Sequence, residues 1–599
     1  MNENRHIKFL SKCEIRIERR IKRRIIWCDT VELHGDLADS ANTARLEPLP
    51  RATTMPAPRY GFSPPDKIEF KLAEQRPFSP DLNRGTEVDR MFDIVIVGAG
   101  SAGSVIAARA SEDPNRQVLL LEAGPDYPDL SATPFDLVNG HNNSYRDHDW
   151  GLSYQPTRGR RVGFPRGRVV GGSSAVNTTI ALRGMHEDYD EWADLGNSEW
   201  AWEQVLPAFR RLERDLDFGN KPYHGDAGPI TIRRYPPEEL IPQQEAFLES
   251  AADLGYPACP DANDPYSWGA GPQPMNKLGR VRVSCAVGYL APARIRPNLT
   301  IRAQALVRRL ILDGRRCTGV EVENADGSIE RIMAPLVVLS AGAIMSPAIL
   351  MRSGLGPRAE LEALGIEVHS DVPGVGANLS DHPAIAITCE VRDPSIVDFE
   401  APLIQTILRY TAGNSEKRND LQIEPLSFVG RASDPPRIAI AAVLEYQYGR
   451  GELKLTSADP HQAPLIDNRF CEDERDCRRL AGCFRDAFAF TRVGPMADLI
   501  ERVAFPDPAR PAGEEQVAAL CRRFSGSGFH PCGTVKMGPA SDPGAVVDQH
   551  GCCRFLDNLA VADASIMPGV PRANTNLSSI MIGEMVGEWL RTRPSRYGL

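Results

Sequence analysis

With 599 residues, 42% of them hydrophobic and 25% charged, the chain has a globular composition and room for several domains or two large interleaved ones. Its net charge of −10 argues against nucleic acid as a main partner, because phosphate binding needs a basic face. The 13 cysteines fall at irregular spacings with no paired Cys-x-x-Cys, which predicts reduced thiols in a cytoplasmic protein and no metal site. No run reaches the roughly 18 to 20 apolar residues of a membrane span.

Residues 1–90 stand apart from the rest. They carry a basic run from Ile15 to Ile26 and then a polar, proline-rich stretch. An Arg-rich start suits an organellar targeting peptide, but Glu14, Glu18 and Asp29 count against one, and the apolar core of a secretory signal is missing. Translation from Met91 is the third reading. The expectation is a disordered extension or a mis-set start, with no function assigned.

From Asp93 the text changes. Ile94-Val95-Ile96-Val97 reads as a strand buried on both faces of a parallel sheet. It runs into Gly98-Ala99-Gly100-Ser101-Ala102-Gly103, followed by a small-residue helix from Ser104 to Ala110. In such a turn Gly98 permits the bend, Gly100 lets the backbone approach a pyrophosphate, and Gly103 lets helix and strand pack closely. Ser101 and Ala102 open the helix, where free N–H groups and the helix dipole favour phosphate. Gln117 to Leu121 is the next strand, and Glu122 at its end is placed to bind a ribose diol. These residues alone leave NAD and FAD both open, while Glu122 disfavours NADP.

Further on come Gly167-Arg168-Val169-Val170-Gly171-Gly172-Ser173-Ser174-Ala175-Val176-Asn177, with Ala181, Gly184 and Asp190. Then follow Gly342-Ala343-Ile344-Met345-Ser346-Pro347 ending in Ser353-Gly354-Leu355-Gly356, the run His530 to Gly538, and Val561 to Pro568. Together these resemble the signatures of the glucose–methanol–choline oxidoreductases, in family order, from Met91 to about Arg591. The resemblance implies an α/β fold, with a Rossmann-like FAD-binding domain interleaved with an α+β substrate domain built on an antiparallel sheet. The first is expected at about 91–240, 291–385 and 520–599, and the second at 241–290 and 386–519. It also implies FAD contacts at Val170, Gly171, Gly172, Asn177, Val307, Asp563 and Ala564. Enzymes of the family that attach flavin covalently use a histidine where this chain has Val176, so non-covalent FAD is expected.

Alcohol oxidation needs a base for the hydroxyl proton, a hydride acceptor and a group that steadies the alkoxide. The resemblance gives the first role to His530, the second to flavin N5 and the third to Asn574. Asn576 is expected to cap or orient the following helix, and His382 to act as a hinge or hydrogen-bonding residue. Glu424 falls opposite a second active-site histidine of choline-oxidising relatives, as an acid, cation receptor or ion-pair partner. The alternating stretch Gly449 to Leu455 is expected in the antiparallel sheet over the flavin. The substrate expected is a small primary or secondary alcohol: Pro571 to Leu577 resembles oxidases of furanic and aryl alcohols, and the His530 motif choline dehydrogenases. Electrons would pass to dioxygen or to a quinone- or dye-like acceptor. The alternative on the same scaffold is an FAD-containing hydroxynitrile lyase.

Overall fold

The structure, a computed structural model, describes residues 92–599 except 414, 432 and 508–512. The readings of residues 1–90 lie outside the described residues. Two sheets organise the rest.

The first is a five-stranded parallel sheet in the order Leu299–Arg302, Val118–Leu121, Ile94–Val97, Leu336–Leu339, Leu559–Val561. The strands Ile94–Val97, Val118–Leu121 and Leu336–Leu339 are buried along their whole length, which is why they are continuous apolar runs rather than alternating ones. The helices Gly103–Ala110 and Thr575–Thr592 cross closely on this sheet. A Cβ on Gly583 would stand 2.8 Å from the Ala102 carbonyl oxygen, and one on Gly587 2.7 Å from Arg109 Cβ, so glycine spacing sets the approach.

The second sheet is antiparallel: Ile500–Phe505, Pro383–Val391, Arg437–Leu444, Leu421–Leu426, Thr406–Tyr410, Gly269–Pro272, with Gly526–Ser527 paired to the start of Pro383–Val391. Side chains alternate across it with the period of a strand. Ile385, Ile387, Ile423, Ile440 and Ala442 join an apolar core with the helices Pro242–Asp253, Glu474–Ala489 and Glu514–Phe524. Ala384, Ala386, Gln422, Glu424, Ala441 and Val443 face a cavity on the opposite side.

The stretch Gly449 to Leu455 belongs to neither sheet. Glu452–Lys454 pairs with Leu465–Asp467 in a separate two-stranded ribbon, and Leu453, Leu455 and Ile466 pack into the core around the parallel sheet. Backbone bonds from Leu453 to Gly376 and between Gly451 and Leu379 hold it there. Alternation correctly signalled a strand but named the wrong partner. No helix among the described residues is long and apolar enough to cross a membrane.

Candidate active site

A cavity of about 520 Å³, within the ordinary range for ligand sites, opens at the carboxyl ends of the parallel strands. Gly98, Glu122, Ser340 and Asp563 each follow one of those strands and line it. This is the edge at which open α/β sheets bind ligands.

The glycines at its phosphate-type end do separate jobs. Gly98 has φ of 97°, and a Cβ there would lie 2.6 Å from the Ser340 carbonyl oxygen. A Cβ on Gly103 would be 1.9 Å from the carbonyl oxygen of Gly98, so close packing of turn and helix demands glycine. Gly100 is different. Its nearest neighbour to an added Cβ is Gly172 Cα at 4.0 Å, so the missing side chain leaves space that belongs to the cavity. Gly172 in turn has φ of 52° and would drive a Cβ to 2.6 Å from Gly100 Cα, so the two glycine loops abut.

Glu122 accepts backbone N–H bonds from Ala99 (3.0 Å, to Oε2) and Gly124 (2.9 Å, to Oε1). Burial pushes its carboxyl up to about 7 against those bonds. Each oxygen has capacity for a second hydrogen bond, and Glu122 lines the cavity. Ser101, Ala102, Gly172, Asn177, Val307 and Ala564 also line the wall. Gly103, Val170 and Gly171 do not. They shape the loops from behind: Gly171 donates to the Ala99 carbonyl at 2.7 Å and Val170 to that of Pro125 at 3.0 Å. Asp563 lines the cavity, but its carboxylate is taken up by Gly342 N (2.8 Å), Ser346 Oγ (2.5 Å) and Ser565 N (2.7 Å), which makes it a brace for two helix starts.

At the other end His530 and Asn574 meet. Asn574 Nδ2 donates to His530 Nε2 at 2.9 Å, while Asn574 Oδ1 is buried with no protein partner. His530 Nδ1 lies 2.9 Å from Nδ1 of His382. Since Nε2 of His530 accepts from Asn574, the proton of the neutral ring sits on Nδ1 and is donated to His382. Burial, with the neighbouring His382 and Arg166, holds His530 well below its ordinary value. His530 is therefore an uncharged acceptor at neutral pH.

Asp381 aligns both rings through the backbone. Its Oδ1 accepts the N–H of His382 and of His530, each at 2.8 Å. Ser527 Oγ (2.5 Å) and Asn468 Nδ2 (3.2 Å) donate to Oδ2. His382 is thus a hydrogen-bonding residue, one of the two roles expected for it, and its direct partner is His530. Asn576 does not cap its helix, since it lies inside the first turn; its Oδ1 accepts a 2.9 Å bond from Ser101 Oγ, which fits the orienting role instead.

The roof supplies two carboxyls. Glu424 Oε1 accepts from Gln422 Nε2 (2.6 Å) and Gln273 Nε2 (3.3 Å), and burial raises it to about 7. Glu445, missed in the sequence, is 1% exposed, lines the cavity, and has Oε2 3.4 Å from His382 Nδ1. Burial lifts it to about 8 although Arg409 opposes this. The signal was available: Ala441, Val443 and Glu445 continue one face of a period-2 strand. Arg166, also missed, lines the cavity and donates to the Phe529 carbonyl at 2.9 Å.

The open space at Gly100, the partnerless Asn574 Oδ1 and the acceptors at Glu122 fit a bound dinucleotide with a reactive ring near His530. Fold and site thus define an oxidoreductase built round a dinucleotide cofactor. Family models described as GMC oxidoreductase match residues 92–384 and 447–583. The chain is similar to a 5-(hydroxymethyl)furfural oxidase of Methylovorus sp., 35% identical over 547 residues, covering 84% of this chain and 99% of that protein. It is 34% identical over 556 residues to an oxygen-dependent choline dehydrogenase of Escherichia coli, covering 84% and 95%. Among solved structures, pyridoxine 4-oxidase from Mesorbium loti superposes with a TM-score of 0.77 at 30% identity, covering 84% and 99%. The chain belongs to the GMC oxidoreductase family, and its cofactor is FAD.

Proposed function

We propose that this enzyme oxidises the CH–OH group of a small primary or secondary alcohol to the carbonyl. The observation that carries the reading is the His530–Asn574 pair, joined at 2.9 Å at the cavity wall, with one asparagine oxygen left free. Bound FAD supplies the hydride acceptor. The chain's own residues do the rest.

His530 Nε2 takes the hydroxyl proton as the Asn574 amide, which otherwise donates to it at 2.9 Å, turns to the substrate oxygen. Asn574 can accept the hydroxyl hydrogen through Oδ1 before the step and donate from Nδ2 to the alkoxide oxygen during it. The roof of Ala384, Ala386, Ala441 and Val443 excludes water above the reacting carbon. Gly98, Gly100, Ser101, Ala102 and Glu122 hold the adenosine diphosphate portion, Val307 the adenine side, and Gly172, Asn177 and Ala564 the flavin side. Val176, at the cavity wall, offers no atom for a covalent link, which supports non-covalent FAD. Among the relatives, the alcohols named or implied are hydroxymethylfurfural, choline and pyridoxine, which sets the first substrate panel.

The test is anaerobic addition of these alcohols and benzyl alcohol to the holoenzyme. Bleaching of the visible flavin band supports the reading, and His530→Ala should slow it by about 10²-fold or more with FAD retained. A flavin that stays oxidised while a cyanohydrin releases cyanide would overturn it in favour of the lyase. Peroxide formation against dye reduction then separates dioxygen from a quinone-type acceptor.

A further inference from the structure

His382 and Glu445 lie behind the proposed base and have no part in the two-residue chemistry just described. His382 is fully buried and does not reach the cavity wall; its Nδ1 faces His530 Nδ1 at 2.9 Å and Glu445 Oε2 at 3.4 Å. Glu445 Oε2 has no hydrogen-bond partner, although its side chain is 1% exposed. A structural carboxyl so deeply buried is normally saturated with donors, and this one is not. That buried, unpartnered oxygen lies 3.4 Å from the ring that touches the base.

We infer that His382 and Glu445 form a buried acceptor chain behind His530, along which the substrate's hydroxyl proton comes to rest on the Glu445 carboxylate. The inference rests on His530 acting as the base. The alcohol O–H bond breaks as Nε2–H of His530 forms. The Nδ1–H bond of His530 breaks as Nδ1–H of His382 forms, and when the His382 ring tilts from His530 towards Glu445 that bond breaks in turn as Oε2–H of Glu445 forms. Both rings finish neutral, one proton has moved from alcohol to carboxylate, and the C–H electron pair has left as hydride. Reducing a two-electron acceptor such as dioxygen or a quinone needs that proton back. Its return along the same path restores Nδ1–H on His530.

The electrostatics favour an end point at Glu445 over one at His530. A cationic imidazolium at His530 would sit buried beside His382 and Arg166, which together hold it well below the ordinary histidine range. Burial holds His382 down to about 3, so it can pass a proton but not store one. Glu445 is faced by Arg409 from the strand Thr406–Tyr410, Glu424 from Leu421–Leu426, Asp188 from the helix His186–Asp194, and Asp381 beside His382. Only Arg409 among these favours the carboxylate, so the group is pushed up to about 8 and binds a proton readily. It must be ionised to accept one, so turnover through the chain rises as pH climbs through about 8.

The experiment uses FAD-loaded parent, Glu445→Gln, His382→Gln and Glu424→Gln, each reduced anaerobically by whichever panel alcohol bleaches the parent. Two readouts are taken: the pH profile of flavin reduction, and the infrared difference spectrum between oxidised and reduced enzyme. The parent should show an ascending limb near pH 8 and, on reduction at higher pH, a new protonated-carboxyl C=O band. Glu445→Gln should lose both and slow by about tenfold or more. His382→Gln, which cuts the chain one link earlier and leaves Glu445 in place, should lose the band as well. Glu424→Gln should keep it. A Glu445→Gln enzyme with the parental limb and band overturns the chain alone, as does a His382→Gln enzyme that keeps the band. If no alcohol bleaches the parent, the alcohol reading fails, and the chain with it.

Discussion

Replacing Gly100 by valine separates the cofactor's space from the fold's own needs. An added Cβ at Gly100 meets only Gly172 Cα, at 4.0 Å, whereas the same atom on Gly103 lands 1.9 Å from the Gly98 carbonyl oxygen. Gly100→Val should therefore leave the apoprotein's thermal midpoint close to the parent's. Its branched methyls fill the space through which the backbone reaches the pyrophosphate. Losing two charge-assisted hydrogen bonds there costs about 3 kcal/mol at roughly 1.5 each, or a dissociation constant about 10²-fold weaker. Gly103→Ala should do the reverse, destabilising the apoprotein by about 3 kcal/mol through an overpacked contact that the loop cannot relax. Flavin-fluorescence titration and apoprotein melting measure the two effects independently. Parental FAD affinity in Gly100→Val, or a parental melt in Gly103→Ala, would refute this division of labour.

Two further outcomes follow from buried charge. Glu584 is fully buried and accepts from Arg109 Nε (3.0 Å) and Nη2 (2.8 Å), Arg211 Nε (2.8 Å) and Tyr289 Oη (2.6 Å), so Glu584→Gln should cost on the order of 3 kcal/mol, seen as a lower thermal midpoint; an unchanged midpoint refutes it. His224 is buried between Glu213 Oε1 (2.8 Å) and Asp261 Oδ2 (2.9 Å); burial works against its charge, but those carboxylates raise it above its ordinary value. Stability from a raised histidine is full below its unfolded value of about 6.5 and is lost as pH rises through the folded one. The midpoint gap between parent and His224→Gln should then shrink from pH 6 towards the alkaline side, and a gap that stays constant with pH contradicts the argument.

The cluster round His224 also shows what spacing could not reveal. Glu213, Asp215 and His224 carry ligand atoms within 4.8 Å of one another, a grouping that could hold a metal ion. Yet Arg183 pairs with Glu213 at 2.8 Å, and Arg234 with Asp215 at 2.8 Å and Asp261 at 2.6 Å, so side chains already meet the charge. The Gly98–Gly103 turn was legible because its demands are local: a strand, a sharp bend and a helix within a few residues. His530 and Asn574 were legible only through long motifs, since no spacing rule joins residues 44 positions apart. His382 touches His530 across 148 positions, by way of the Ser380–Cys532 bridge, and nothing in its own neighbourhood announces that. Glu452–Lys454 failed for the opposite reason: a three-residue alternating strand fits any open edge, and Leu453 chose the nucleotide core.

The proposed base, His530, is positioned by backbone, and that shapes what can vary around it. Asp381 receives the main-chain N–H groups of both His382 and His530, and Gly528 donates to the His382 carbonyl at 2.7 Å, so the two loops are laced together without using either ring. The rings then settle their tautomers between themselves and Asn574. Gln422 and Glu424 make no bond to this lacing; they hang from the roof strand Leu421–Leu426 and answer only to each other and Gln273. Exchanging them would alter the polarity of the roof and leave the hydrogen bonds round His530 in place, while loss of the Glu424 charge would lower the proton affinity of Glu445. Glu445 sits on the boundary, one residue beyond the strand Arg437–Leu444, lining the cavity yet facing His382. It is therefore where a change of substrate polarity and a change of proton affinity would be felt together.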